Sequence, residues 1–91
     1  MMRLVIEGRV QGVGYRAAFA EQARVLGLAG WVRNRRDGSV EAAVDGEQPA
    51  IEAIIAWAQC GPPGALVSNV AVDNGSMPGA ANGDFRILPT L

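Results

Sequence analysis

Apolar positions along this chain change their period several times, and each change marks a predicted element. Leu4, Val5 and Ile6 form a short apolar run that predicts a first strand over roughly Arg3 to Val10. Phe19, Ala23 and Leu26 then recur at helical spacing, predicting a helix from about Arg16 to Leu26. Gly27 suits the left-handed cap that would end it. Gly30 to Glu41 reads as a strand, an Asp37-Gly38 turn and a second strand. Val40, Ala42 and Val44 alternate there with Glu41 and Asp45, so one face of that strand is apolar. A second helix begins at Pro49, a favoured first-turn residue, with Ile51, Ile54, Ile55 and Ala58 on one side. Trp57 falls at the border of that stripe. Gly61 ends the helix and Pro62-Pro63 prevents its return. Leu66 to Val72 predicts a fourth strand, and Asp84 to Leu88 a short last one that Pro89 stops. Between them, Asp73 to Gly83 has no apolar period and predicts a mobile loop without a function of its own.

The order β-α-β-β-α-β, with one extra short strand, predicts an α+β fold: an antiparallel sheet carrying both helices on one face. Each helix has a single apolar stripe and needs a sheet to cover. Ninety-one residues suffice for one domain, spanning 1–91, with a modest core.

Composition removes several chemistries. All eight basic residues are arginine, so lysine Schiff bases and lysine-dependent nucleotide loops are excluded. The chain has no histidine, hence no histidine general base or metal ligand. Cys60 is the only cysteine, which excludes an internal disulfide and a multi-cysteine zinc site. The carboxylates are scattered and form no metal-loop pattern. No metal and no cofactor is therefore expected. A net charge of −1 argues against a dedicated nucleic-acid binder. No apolar run reaches membrane-spanning length, and Glu7 and Arg9 interrupt any secretory pattern at once. A cytoplasmic protein is expected.

The candidate chemistry lies in Gly8-Arg9-Val10-Gln11-Gly12-Val13-Gly14-Tyr15-Arg16, between the first strand and the first helix. Gly12 and Gly14 permit backbone angles that a Cβ penalises, so several N–H groups can converge on one anion. The helix start adds unpaired N–H groups and the positive end of its dipole. Arg16 adds a planar fork of donors matched to two phosphate oxygens. Read alone, the same glycines equally fit a plain chain reversal. Asn34 stands inside a predicted strand, where asparagine is disfavoured; a solvent-facing or bulge position would also explain it.

Together these segments resemble the acylphosphatase family. Gly8 through Arg16 meets its pattern G-x-V-Q-G-V-x-[FY]-R, and Gly30 to Val40 meets G-W-V-x-N followed by a D-G-[ST]-V-type turn. Gly61-Pro62-Pro63-Gly64 also looks like its bacterial members. The resemblance implies a ferredoxin-like split βαβ sandwich and metal-independent hydrolysis of acyl phosphates to a carboxylate and inorganic phosphate. By motif position it implies Arg16 as the phosphate-binding arginine, backbone N–H groups of Gln11, Gly12, Val13, Gly14, Tyr15 and Arg16 as the cradle, and Asn34 as the residue holding the attacking water. An acyl phosphate is then the substrate, inorganic phosphate or sulfate a product-like ligand, and a monomer the expected state. One departure is Ala17-Ala18, where an aromatic often follows the arginine. Arg35 is another: it adds charge beside Asn34, where many relatives have an uncharged residue.

Three other readings compete. Gly12 to Ala17 fits the relaxed G-x-G-x-x-[GA] dinucleotide fingerprint, but the following strand leads into an antiparallel hairpin and no acidic residue closes it. A sheet of this kind can bind RNA through exposed aromatics, and Arg33, Arg35 and Arg36 cluster; yet the chain has only two Trp, one Tyr and two Phe. The arginines are expected to form a solvated hairpin edge. Domains of this family also occur within larger enzymes that handle carbamoyl phosphate, against which a free-standing enzyme is expected here.

Overall fold

A computed structural model describes residues 1–74 and 84–90. Its elements follow the chain as β1 (Met2–Arg9), α1 (Tyr15–Val25), β2 (Ala29–Asn34), β3 (Val40–Asp45), α2 (Gln48–Ala58), β4 (Leu66–Asn74) and β5 (Phe85–Ile87). The strands form one sheet in the order β4-β1-β3-β2-β5. The three pairings among β1 to β4 are antiparallel as expected: β1 lies between β3 and β4, and β2 beside β3.

The sheet is mixed, however, and not antiparallel throughout. β5 pairs with β2 in parallel, with Gly30 opposite Phe85 and Val32 opposite Ile87. A further difference concerns the end of one strand. β4 runs through Asp73 and Asn74, because both continue the ladder against Arg3 and Met2. The remainder of the loop expected to Gly83 lies outside the described residues.

Both helices cover one face. Leu4 and Ile6 from β1, Val32 from β2, and Val40, Ala42 and Val44 from β3 pack there against Tyr15, Phe19, Ala20 and Ala23 of α1 and Ile51, Ile54 and Ala58 of α2. The period-2 alternation of the strands puts these residues on one side, where burial of large apolar groups drives folding. Trp57 is more than a border residue: its ring sits 5.5 Å from Tyr15 and 5.8 Å from Phe19, and Phe85 adds a fourth ring 5.8 Å from Phe19. Phe19 is fully buried at the centre of this group.

The opposite face is polar but not loosely solvated. Glu41 is buried in the middle of it and accepts from Arg3 at 2.8 Å and from Arg33 at 2.9 Å. Arg33 also lies 4.8 Å from the centroid of Trp31. The sequence places Arg33 at a hairpin edge; the structure pairs it across the sheet. Gly30 is required in β2, since with φ at 137° a Cβ there would collide with the backbone carbonyl of Ala43.

Candidate active site

The segment between β1 and α1 turns twice through left-handed glycines. Gly12 has φ 79° and Gly14 φ 77°, and a Cβ at either would meet no neighbour. Their requirement is therefore conformational rather than one of space. Gly14 is the N-cap of α1 and supplies no side-chain cap. The first intrahelical bond runs from Ala18 N–H to the Gly14 carbonyl, at 3.0 Å. The amides of the first turn are thus left to an external partner, and no acidic residue stands in that turn to neutralise the dipole.

These amides border a cavity of about 210 Å³ lined by Val10, Gln11, Gly12, Gly14, Tyr15, Arg16, Ala17 and Asn34. Arg16 is half-buried at its wall, and among the described residues its guanidinium makes no hydrogen bond or ion pair. Asn34 reaches the same cavity from the last position of β2. Its Oδ1 is buried and has no protein partner. A buried polar atom left unpaired is costly and marks a group kept for something other than stability. Arg16 and Asn34, eighteen positions apart, are thus brought to one site. Of the segment expected to form the cradle, Gln11, Gly12, Gly14, Tyr15 and Arg16 line the cavity. Val13 does not; its side chain turns toward Gly64 and the core.

Two neighbouring side chains support this arrangement. Tyr15 is buried, and its hydroxyl donates to the Ala58 carbonyl at 2.9 Å. Burial pushes that phenol far above its ordinary range. Gln11 donates through Nε2 to the carbonyls of Arg35 and Ser39, at 2.7 and 2.9 Å. The sequence marks Gln11 only as a backbone donor, since no spacing rule joins it to residues so far along the chain. Val10 and Ala17 also line the cavity, and no sequence signal singles either of them out.

The hairpin behind Asn34 closes through Gly38 N–H to the Arg35 carbonyl, at 3.2 Å, with Gly38 at φ 95°. Asp37 Oδ1 accepts from the Ser39 hydroxyl at 2.6 Å and from its N–H at 3.0 Å. Those bonds, hydroxyl first, hold the Asp37 carboxyl below its ordinary range. Arg36 projects into solvent, whereas Arg35 approaches Asp37 at 3.9 Å. Among the described residues no group of His, Cys, Asp and Glu is placed to hold a metal ion. Among them, too, no helix is long and apolar enough to cross a membrane.

The chain is thus an α+β domain, a split βαβ sandwich with helix-start amides, an arginine without a protein partner among the described residues and a facing asparagine gathered around one cavity. Comparison with known proteins narrows the class. The family model "Acylphosphatase" matches residues 2–87. An acylphosphatase of Azoarcus sp. is 53% identical over 87 residues, covering 96% of this chain and 87% of that protein. The crystal structure of acylphosphatase from Bacillus subtilis superposes with a TM-score of 0.87 at 35% identity, covering 96% of both chains. HypF of T. kodakarensis contains a similar domain, with a TM-score of 0.83 at 27% identity; it covers 96% of this chain but 11% of that one. The chain belongs to the acylphosphatase family, a family of hydrolases.

Proposed function

We propose that this protein hydrolyses acyl phosphates by holding the phosphoryl group in the loop of residues 11–16 and directing water at it from Asn34. The observation that carries the reading is the convergence of Arg16, the first-turn amides and the unpaired Asn34 amide on one cavity.

Arg16 and the backbone N–H groups bind the phosphoryl oxygens as charge-assisted acceptors. Asn34 holds a water through its amide on the side away from the acyl oxygen. The water oxygen attacks phosphorus as the bond from phosphorus to the acyl oxygen breaks, and the bonding pair leaves on the carboxylate. The water proton passes to a phosphate oxygen or to solvent. A carboxylate is already a good leaving group, so strong acid–base assistance is unnecessary. Catalysis is then mainly alignment and charge stabilisation. The donor set suits this, because it contains no histidine and no ligand cluster among the described residues, and an arginine with amides can neutralise the anion instead. Metal independence follows as part of the proposal.

The RNA-binding alternative is weakened by where the aromatics lie. Tyr15, Phe19, Trp57 and Phe85 pack under the helices, and Trp31 on the open face is buried rather than presented for stacking.

Hydrolysis of benzoyl phosphate, measured with and without a chelator, tests the proposal beside Arg16→Ala and Asn34→Ala. Turnover that survives the chelator and collapses in both variants supports it. A folded wild type without turnover, or one that the chelator silences, overturns it.

A further inference from the structure

We infer that the Gln11 side chain is a positioning residue that sets Asn34 relative to the phosphate-binding loop. The inference rests on the water-holding reading of Asn34 given above. Nε2 of Gln11 donates to the Arg35 carbonyl at 2.7 Å and to the Ser39 carbonyl at 2.9 Å. Those carbonyls belong to the two arms of the β2–β3 hairpin at its closing rung, where Arg35 N–H donates to the Ser39 carbonyl at 2.9 Å. Asn34 is the residue before that rung and sits opposite Val40. A single amide therefore grips both arms of the hairpin beside the residue that carries the water.

The geometry is demanding. A side-chain amide has two N–H bonds, and both are committed here. The Ser39 carbonyl accepts twice, from Arg35 and from Gln11, using both lone pairs. Gln11 itself lines the cavity, next to the first left-handed glycine. Among the described residues no other side-chain hydrogen bond joins residues 10–14 to residues 34–40. Asn34 does not anchor itself, since its Oδ1 has no protein partner. The loop and the hairpin come from different strands, and in-line attack requires that their separation be held.

Loss of the clamp leaves Arg16 and the loop amides intact but lets the water drift off the axis of attack. Misplacement by about 1 Å costs on the order of 10²-fold in rate. The expected signature is a fall in kcat with little change in binding of the phosphoryl group. A side chain that merely satisfied two carbonyls for stability would change the unfolding temperature and leave this split unmoved.

The experiment is a double-mutant cycle on benzoyl phosphate hydrolysis with Gln11→Ala, Asn34→Ala and both, with inhibition by inorganic phosphate and thermal unfolding measured alongside. Gln11→Ala is expected to lower kcat by about 10–100-fold. KM and phosphate inhibition should stay within about twofold, and adding Gln11→Ala to Asn34→Ala should cost nothing further. Gln11→Met, close in shape but without donors, should reproduce the loss if Gln11→Ala folds poorly. A wild-type kcat in Gln11→Ala, losses that multiply in the double variant, phosphate inhibition weakened in step with kcat, or failure of both Gln11→Ala and Gln11→Met to fold would each overturn the clamp. If Asn34→Ala alone keeps the wild-type kcat, the water reading fails and the clamp falls with it. If Asn34→Ala is slow and the losses multiply, the clamp alone fails.

Discussion

The Tyr15 hydroxyl donates to the carbonyl of Ala58, tying the residue beside Arg16 to the last residue of α2. Gly61 leaves room for the Tyr15 ring, which a Cβ at that position would strike. The start of one helix is thereby braced on the end of the other. Because burial raises the phenol above its ordinary value of 10.0, the folded state holds this proton more tightly than the unfolded chain. The associated stability is complete below the unfolded value and is lost as pH rises above it. Tyr15 is the only tyrosine, so absorbance of tyrosinate reports it alone. Ionisation should appear only as tertiary structure is lost at alkaline pH. Titration near the ordinary value in a folded protein would contradict this. Tyr15→Phe, which strands a buried carbonyl, should cost about 1–3 kcal/mol in denaturant unfolding.

Arg16 and Asn34 should fail in different ways. In the proposed reaction Arg16 meets charge that is present before and during the chemical step, so Arg16→Ala should raise KM and lower kcat together, by about 10³-fold in kcat/KM. Asn34→Ala should lower kcat by about 10²–10³ while substrate affinity changes little. It should also unfold no more easily than wild type, because the lost side chain contains a buried oxygen without a partner. Steady-state kinetics and thermal melts distinguish the patterns. A destabilised Asn34→Ala with wild-type kcat would make Asn34 a structural residue.

Glu41 gives the fold an acid limit. Burial raises its carboxyl, but hydrogen bonds from Arg33 and Arg3, with their charges, outweigh that and hold it below its ordinary value of 4.5. A depressed folded value means stabilisation that is full above the unfolded value and lost as pH falls through the folded one. Unfolding free energy should therefore decline as pH drops below that ordinary value. Glu41→Gln should cost about 1–3 kcal/mol at neutral pH and flatten the acid decline. An unchanged acid slope in the variant would place the titration elsewhere.

Gly14 separates conformational need from space. A Cβ there would touch nothing, yet φ is 77°. Gly14→Ala should lower stability by about 1–2 kcal/mol and weaken inhibition by inorganic phosphate, because the helix start must re-form at negative φ. Gly14→Asn, which tolerates the left-handed region better, should lose less of both. Equal effects from Ala and Asn would implicate something other than backbone angle.

The succession of strands and helices was legible because the apolar period changes cleanly from Leu4–Ile6 to Phe19–Ala23 and again at Val40–Val44. Where sequence reasoning fell short, the missing facts are pairings between distant positions. Three residues of β5 encode no direction, so nothing in Phe85–Ile87 told parallel from antiparallel pairing. Alternation along β3 said that Glu41 opposes the apolar face; it could not say that Arg3, 38 positions away, would bury it with Arg33. Asn34 stood out as an asparagine within a strand, but its proposed task came from resemblance rather than from pattern. The Gln11 contacts to Arg35 and Ser39 span 24 and 28 positions and follow from no local rule.

The parallel seating of β5 against β2 has a temporal consequence. A ribosome releases Gln11 through Asn34 early, yet the strand ending in Asn34 acquires its outer neighbour only when Phe85 to Ile87 have emerged. Until then β2 has a bare edge, and Phe19 lacks the Phe85 ring that packs on it. The final surroundings of β2, and of Asn34 at its end, are thus set only once β5 has been synthesised. Nascent chains halted before β5 should contain Gln11, Arg16 and Asn34 and still leave the edge of β2 unpaired.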